Sequence, residues 1–310
     1  MSVKRIAAAA LAAMALSPLS AFADDFDKGL DTIWESLWHQ SGATTPLARW
    51  EGEIRVAFVG AGGTPAQRAT ALSALRETAS EAGARLSVAK ERAANFTVEI
   101  LPNGALSDNE PCATSLNLDA TTRIDSGALQ MRASEVARCS MHEAMHAMGV
   151  RGHPTGDSVL SYAAPGVHKL SDIDRAMLRA WYSPKIKTGM TPFEALPVLA
   201  GAFAAAQADP ARAAARSNKF MARTVEQMES FAEGKSDPPA VLRRSGKITA
   251  KGLGYGRAQM SYFLGLAYQL GTSTPQDPAR AARWLERAAQ EGDVQAKAQL
   301  DVLLRNRPPS

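Results

Sequence analysis

Every segment that reads as β-strand lies before residue 133, and beyond Pro184 the chain turns alanine-rich and helical with no strand signal. That asymmetry restricts the fold to a sheet-bearing unit followed by an all-helical one, an α+β arrangement in which strands and helices are segregated along the chain. Glu53 to Val59 alternates into a β-branched apolar run, and Pro65 to Ala82 follows with Leu72, Leu75 and Ala79 at helical spacing. Arg85 to Val88, Phe96 to Leu101 and Ala128 to Arg132 are further strand candidates, separated by turn-forming stretches such as Pro102-Asn103-Gly104. From Ser134 the pattern is helical to Gly149. A second helix is expected from Asp172 to Tyr182, opened by Ser171 and Asp174 as a capping box, striped by Ile173, Met177 and Trp181, and stopped at Ser183-Pro184. The expected organisation is a helical segment over 24–50, a mixed twisted sheet with its helices over 51–185, a helical linker or degenerate repeat over 186–250, and a helical hairpin repeat over 251–310.

The N-terminus has the grammar of an export signal. Lys4 and Arg5 precede the apolar run Ile6 to Leu19, and the small residues of Ala21-Phe22-Ala23 stand before Asp24, Asp25 and Asp27. Cleavage after Ala23 is expected, giving a periplasmic or secreted chain with no membrane span once the leader is gone. Neither a lipid-anchor cysteine nor a twin arginine accompanies the apolar run. Losing Lys4 and Arg5 takes the formal charge from +4 to +2, so the basic balance does not indicate a nucleic-acid partner. The two cysteines, Cys112 and Cys139, form an even set in an oxidising compartment and are expected to pair. The alternative, a thiolate metal ligand, suits Cys139 poorly, because it shares the helical face of His142 but sits a turn away.

Gly60-Ala61-Gly62-Gly63-Thr64-Pro65 follows the first strand and superficially resembles a dinucleotide-binding turn. Pro65 occupies the place of the third glycine, and no acidic residue closes a second strand about twenty residues on. These glycines read as an ordinary tight connection.

The chemistry concentrates in His142-Glu143-Ala144-Met145-His146-Ala147-Met148-Gly149-Val150-Arg151-Gly152-His153. Histidines four apart on a helix reach one ion from the same face, and Glu143 projects beside them. Neutral imidazoles leave Zn2+ a strong Lewis acid, and a carboxylate next to it can move the proton of an attacking water, so Glu143 is the candidate general base. The plain alternative is a helix carrying two histidines, one of them packed in the core. The flanks favour chemistry. They resemble the metzincin zinc peptidases, in which the motif is extended by a glycine, a third ligand and a methionine-containing turn beneath the site. Gly149 stands at the glycine position, and Ser158-Val159-Leu160-Ser161-Tyr162 is similar to the turn, with Leu160 where the methionine would be. The resemblance implies one catalytic Zn2+ on His142 and His146, and Tyr162 as a ligand or an oxyanion donor, against the alternative of a merely packed tyrosine. It also implies that Leu170 to Pro184 forms the closing helix of the catalytic unit. The third ligand departs from the pattern: Gly152 holds the family position and His153 follows one residue late. A small bulge with Gly152 at φ > 0 would absorb that residue. Asp157 is the alternative ligand and His168 a more remote one.

Near the C-terminus Ala258, Leu264, Gly265, Tyr268, Gly271, Asp277, Ala281, Trp284, Ala288, Ala289, Gly292, Ala296 and Leu300 resemble the Sel1-like repeat, a helical hairpin related to tetratricopeptide repeats. One unit is visible where about three usually stack, so the helical stretch from Thr191 to Gly234 is expected to supply packing surface. Such modules commonly bind proteins, so docking of a substrate or partner is the functional reading, and a purely structural cap is the alternative. Two functions therefore compete: a zinc endopeptidase acting on polypeptide, and a repeat-based interaction protein with a structural or inactive zinc site. Glu143 favours the first, since a closed structural site has no use for a carboxylate beside a water position.

Overall fold

The computed structural model describes residues 19–38, 46–162, 168–243 and 250–305. Residues 1–18, the greater part of the expected leader, lie outside them. In chain order the elements are α1 (Leu19–Ser36), β1 (Ile54–Val59), α2 (Pro65–Ala82), β2 (Leu86–Val88), β3 (Phe96–Leu101), β4 (Cys112–Leu118), β5 (Ile124–Arg132), α3 (Val136–Ala147), α4 (Asp172–Trp181), α5 (Pro192–Ala205), α6 (Pro210–Ala232), α7 (Ala240–Arg243), α8 (Ala250–Leu270), α9 (Pro278–Gln290) and α10 (Val294–Arg305).

Five strands form one mixed sheet in the order β2-β1-β3-β5-β4. β1 runs parallel to β2 and β3, β3 parallel to β5, and only β4 is antiparallel, which puts it on an edge against β5. Phe96, Val98 and Ile100 of β3 alternate into the core with period two, as a strand facing helices requires. The segregated α+β architecture expected from the strand distribution is the one observed.

Two sequence expectations need adjustment. β4 was not expected, because Cys112-Ala113-Thr114-Ser115-Leu116-Asn117-Leu118 has too little apolar content to stand out. Its period is two all the same, with Ala113, Ser115 and Asn117 exposed and the alternate residues half-buried. β5 begins at Ile124 rather than Ala128 and contains Gly127, which reads as a breaker. A Cβ there would lie 2.8 Å from the Ser115 carbonyl oxygen and 3.0 Å from the Phe96 ring, so the glycine permits close approach within the sheet.

The helices that carry the site are sharply bounded. Thr64 and Gln67 make a capping box at the start of α2 with Pro65 in its first turn, and Gly83 closes that helix at φ 67°. α2 packs on α3 and α4, and α3 also lies against β4 and β5. Arg175 of α4 pairs with Glu77 (2.8 Å) and Glu81 of α2. α5 continues from α4, and α6, α8, α9 and α10 follow, with α8 and α9 as a tight hairpin. A Cβ on Gly265 would lie 2.7 Å from Leu285 Cγ, which explains a small residue at that crossing, while Tyr268 and Trp284 are buried between the helices.

One run of buried apolar side chains extends from the sheet to Trp284. α1 bridges the two halves: Phe26 stacks on Phe203 of α5 at 5.1 Å, and Trp34 meets Phe193 at 5.4 Å. No described helix is long and apolar enough to cross a membrane.

Candidate metal centre

α3 presents His142 and His146 on one face, as the four-residue spacing demands. Beyond Ala147 the chain must reverse, and the orphan carbonyls at the helix end are taken up by two aromatic donors. The Trp50 indole donates to Ala147 O at 2.8 Å and the Tyr182 hydroxyl to Met148 O at 3.0 Å. Gly149 then adopts φ 95°, and a Cβ on it would lie 2.2 Å from the Ala48 carbonyl oxygen. This is the reversal expected from the sequence, doubly enforced by conformation and by space.

The reversed segment returns His153 to the helix. His153 Nε2 lies 3.0 Å from His146 Nε2 and 3.2 Å from His142 Nε2, and the last pair is 3.2 Å apart. Among the described residues these three form the only group of metal-ligating side chains gathered around one point. Asp157 is exposed and outside that group, its carbonyl receiving the Ser171 hydroxyl at 2.9 Å. His168 is also exposed and lines the adjoining cleft.

The expected reason for Gly152 does not hold. It is absent from the glycines at positive φ, so no left-handed bulge precedes His153. A Cβ at Gly152 would instead fall 2.3 Å from Glu35 O and 2.6 Å from Ser36 Cα, so the glycine serves close packing on the end of α1. The extra residue is absorbed by running the chain along that helix.

Hydrogen bonding fixes the tautomers of two imidazoles. His142 Nδ1 lies 2.9 Å from Val159 O and His146 Nδ1 2.6 Å from Val150 O. A carbonyl only accepts, so both Nδ1 atoms carry the proton and both Nε2 atoms present lone pairs to each other. Two acceptors facing at 3.2 Å repel, and a shared cation reconciles them. Donors sharing one zinc at roughly 2.0–2.1 Å in tetrahedral geometry stand about 3.3 Å apart, so the three nitrogens fit such an ion closely. Burial, reinforced by the neighbouring charge of His146, pushes the His142 pKa down to about 4, which keeps this imidazole neutral and able to ligate at ordinary pH.

Glu143 sits beside these nitrogens without joining them. It is buried, and burial holds its carboxyl above the usual range against the opposing pull of His142 and Thr114. Its Oε2 meets no protein donor among the described residues. The floor is the Ser158–Tyr162 segment, with Leu160 fully buried at the position read as the methionine's. Asp174 anchors that floor: its carboxylate accepts from Ser158 Oγ at 2.6 Å, Val159 N at 3.0 Å and Ser171 N at 3.0 Å. The Val159 peptide thereby links Asp174 to His142, a role for Asp174 that its capping-box position alone does not reveal. Tyr162 is 67% exposed, and its ring stacks on His153 at 4.4 Å and on His142 at 5.5 Å. Cys112 and Cys139 are joined as expected, tying β4 to α3 one turn before His142. A cleft of about 280 Å³ opens beside Glu143, lined by Glu110, Arg138, Val159, Tyr162 and His168 among others.

The Sel1 repeat family matches residues 258–293, the α8–α9 hairpin and its connection. No curated protein and no solved structure matches the chain. The family match lies wholly in the helical half and bears on protein interaction there, not on the metal centre.

Proposed function

We propose that this chain is a zinc-dependent endopeptidase exported from the cytoplasm, with His142, His146 and His153 as ligands and Glu143 as general base. The observation that carries this reading is a buried carboxylate placed next to three converging imidazole nitrogens and excluded from their circle, which a closed structural site would not need. A zinc ion held by His142, His146 and His153 would supply the Lewis acidity that lowers the pKa of water and polarises a scissile carbonyl. Glu143 would take the proton from the water and return it to the leaving amine. β4 supports an extended polypeptide as substrate: it is an edge strand open to a further strand, and its Thr114 hydroxyl donates to the backbone carbonyl of Glu143 at 3.1 Å, which ties that edge to the residue proposed as the base. Tyr162, exposed and stacked on two of the imidazoles, stands at the mouth, where its hydroxyl can meet a substrate carbonyl.

The Sel1 match favours a second reading, in which the helical half docks a protein partner and the metal centre is structural or inactive. Zinc content and cleavage of an unfolded protein separate the two. Glu143→Ala should retain one zinc per chain while cleavage falls roughly 10²- to 10⁴-fold. Equal cleavage by the variant would overturn the general-base role, and stoichiometric zinc with no cleavage by the wild type would favour the interaction reading.

A further inference from the structure

The third histidine comes from a stretch with no helix or strand of its own. Residues 150–157 link the end of α3 to the floor segment, and an irregular loop holds a ligand in place only if something else holds the loop. That support comes from the last turn of α1. Gly152 N donates to Ser36 O at 3.2 Å, and Thr155 N donates to Glu35 Oε2 at 2.6 Å, with the Thr155 hydroxyl 3.1 Å from the same oxygen. These contacts fall on either side of His153. Gly156 adds a third, since a Cβ there would lie 1.9 Å from Thr32 Oγ1. Pro154 is buried between them.

Glu35 is an unfavourable choice for the helix that carries it. An anion in the last turn opposes the helix dipole, and α1 has no basic residue there to offset it. α1 itself is held firmly: Phe26, Leu30, Ile33 and Trp34 are buried, as are Leu37 and Trp38 just beyond its end, and Asp27 pairs with Arg216 of α6 at 2.7 Å.

We infer that Glu35 is a positioning residue for the metal centre, clamping the 152–156 loop to α1 so that His153 Nε2 meets the other two ligands. The clamp replaces the bulge that the late third histidine would otherwise require. This inference rests on the zinc reading, though not on peptidase activity.

Zinc affinity by competition with a chromophoric chelator, and the visible spectrum of the cobalt-substituted protein, test it in the full chain. Glu35→Ala should weaken zinc about 10- to 100-fold and alter the cobalt spectrum, as loss of support behind a ligand does. Glu35→Gln, which keeps an acceptor for the Thr155 amide, should restore most of both. In a His153→Ala background, Glu35→Ala should have no further effect on affinity. Unchanged affinity in Glu35→Ala, or an equal loss with and without His153, would overturn the inference. Should Glu35→Ala fail to fold, Gly152→Ala, which pushes the loop off α1 from the other side, should give the same loss of affinity. Wild-type affinity in that variant would count against the clamp. A wild-type chain that takes up no zinc would instead defeat the metal reading itself.

Discussion

The α8–α9 hairpin and the loop over 149–162 that carries His153 both bring separate stretches of chain into contact, but they do so by different means. In the hairpin the partners are near in sequence, and small residues such as Gly265 let helices approach while Tyr268 and Trp284 fill the gap. The order is local and periodic, and each side chain contributes a share of packing energy. The loop has no periodicity. It is fixed by contacts from remote places: Ala48 against Gly149, Glu35 on Thr155 and Asp174 on Val159, with Tyr182 holding Met148 just before it. Damage to the hairpin should therefore appear as lost stability, and damage to the loop as lost ligand geometry.

The largest expected effect breaks the loop side of this contrast. His146→Ala removes a ligand from the middle of the cluster, and zinc affinity should fall on the order of 10³-fold or more, together with the stability coupled to the metal. Chelator competition and thermal melts with and without zinc would record both. Zinc binding that survived the substitution would place the metal elsewhere.

Trp284→Ala probes the other side. The side chain is 8% exposed, and its removal should cost about 3–5 kcal/mol in urea unfolding. Zinc affinity should stay within about twofold, because α9 packs chiefly on α8 and α10. A parallel loss of zinc would show that the two halves are not separable in the way described.

The disulfide tests the boundary between local and remote order. Replacing Cys112 and Cys139 by serine releases a link across 27 residues, worth about 3 to 4 kcal/mol on chain-entropy grounds. Since the bridge holds the β4 edge to α3, cleavage should decline more than zinc content does. Zinc loss as large as the loss of cleavage would show that the bridge supports the ligands rather than the substrate edge.

The same contrast explains what could be read from the sequence. Features with short sequence reach were legible: the histidines four apart, the Ser171 and Asp174 cap, the reversal at Gly149, and the repeat spacing from Ala258 to Leu300. His153 was legible as a ligand candidate, but the reason for its position was not. Gly152 suggested a bulge, whereas its lack of a side chain serves α1, more than a hundred residues earlier. The links from Asp174 through Val159 to His142 and from Glu35 to the loop have no local pattern to betray them. β4 was missed for a different reason: an edge strand half open to solvent tolerates Thr114, Ser115 and Asn117, so its alternation is weak in hydrophobicity though regular in space.

X-ray absorption at the zinc edge of the metal-loaded wild-type chain tests most directly whether three imidazoles share one ion. Three nitrogen donors of imidazole type near 2.0 Å are expected, with multiple-scattering from the rings, and one such donor fewer in His153→Ala. Sulfur in the shell, or a spectrum unchanged by that substitution, would contradict it.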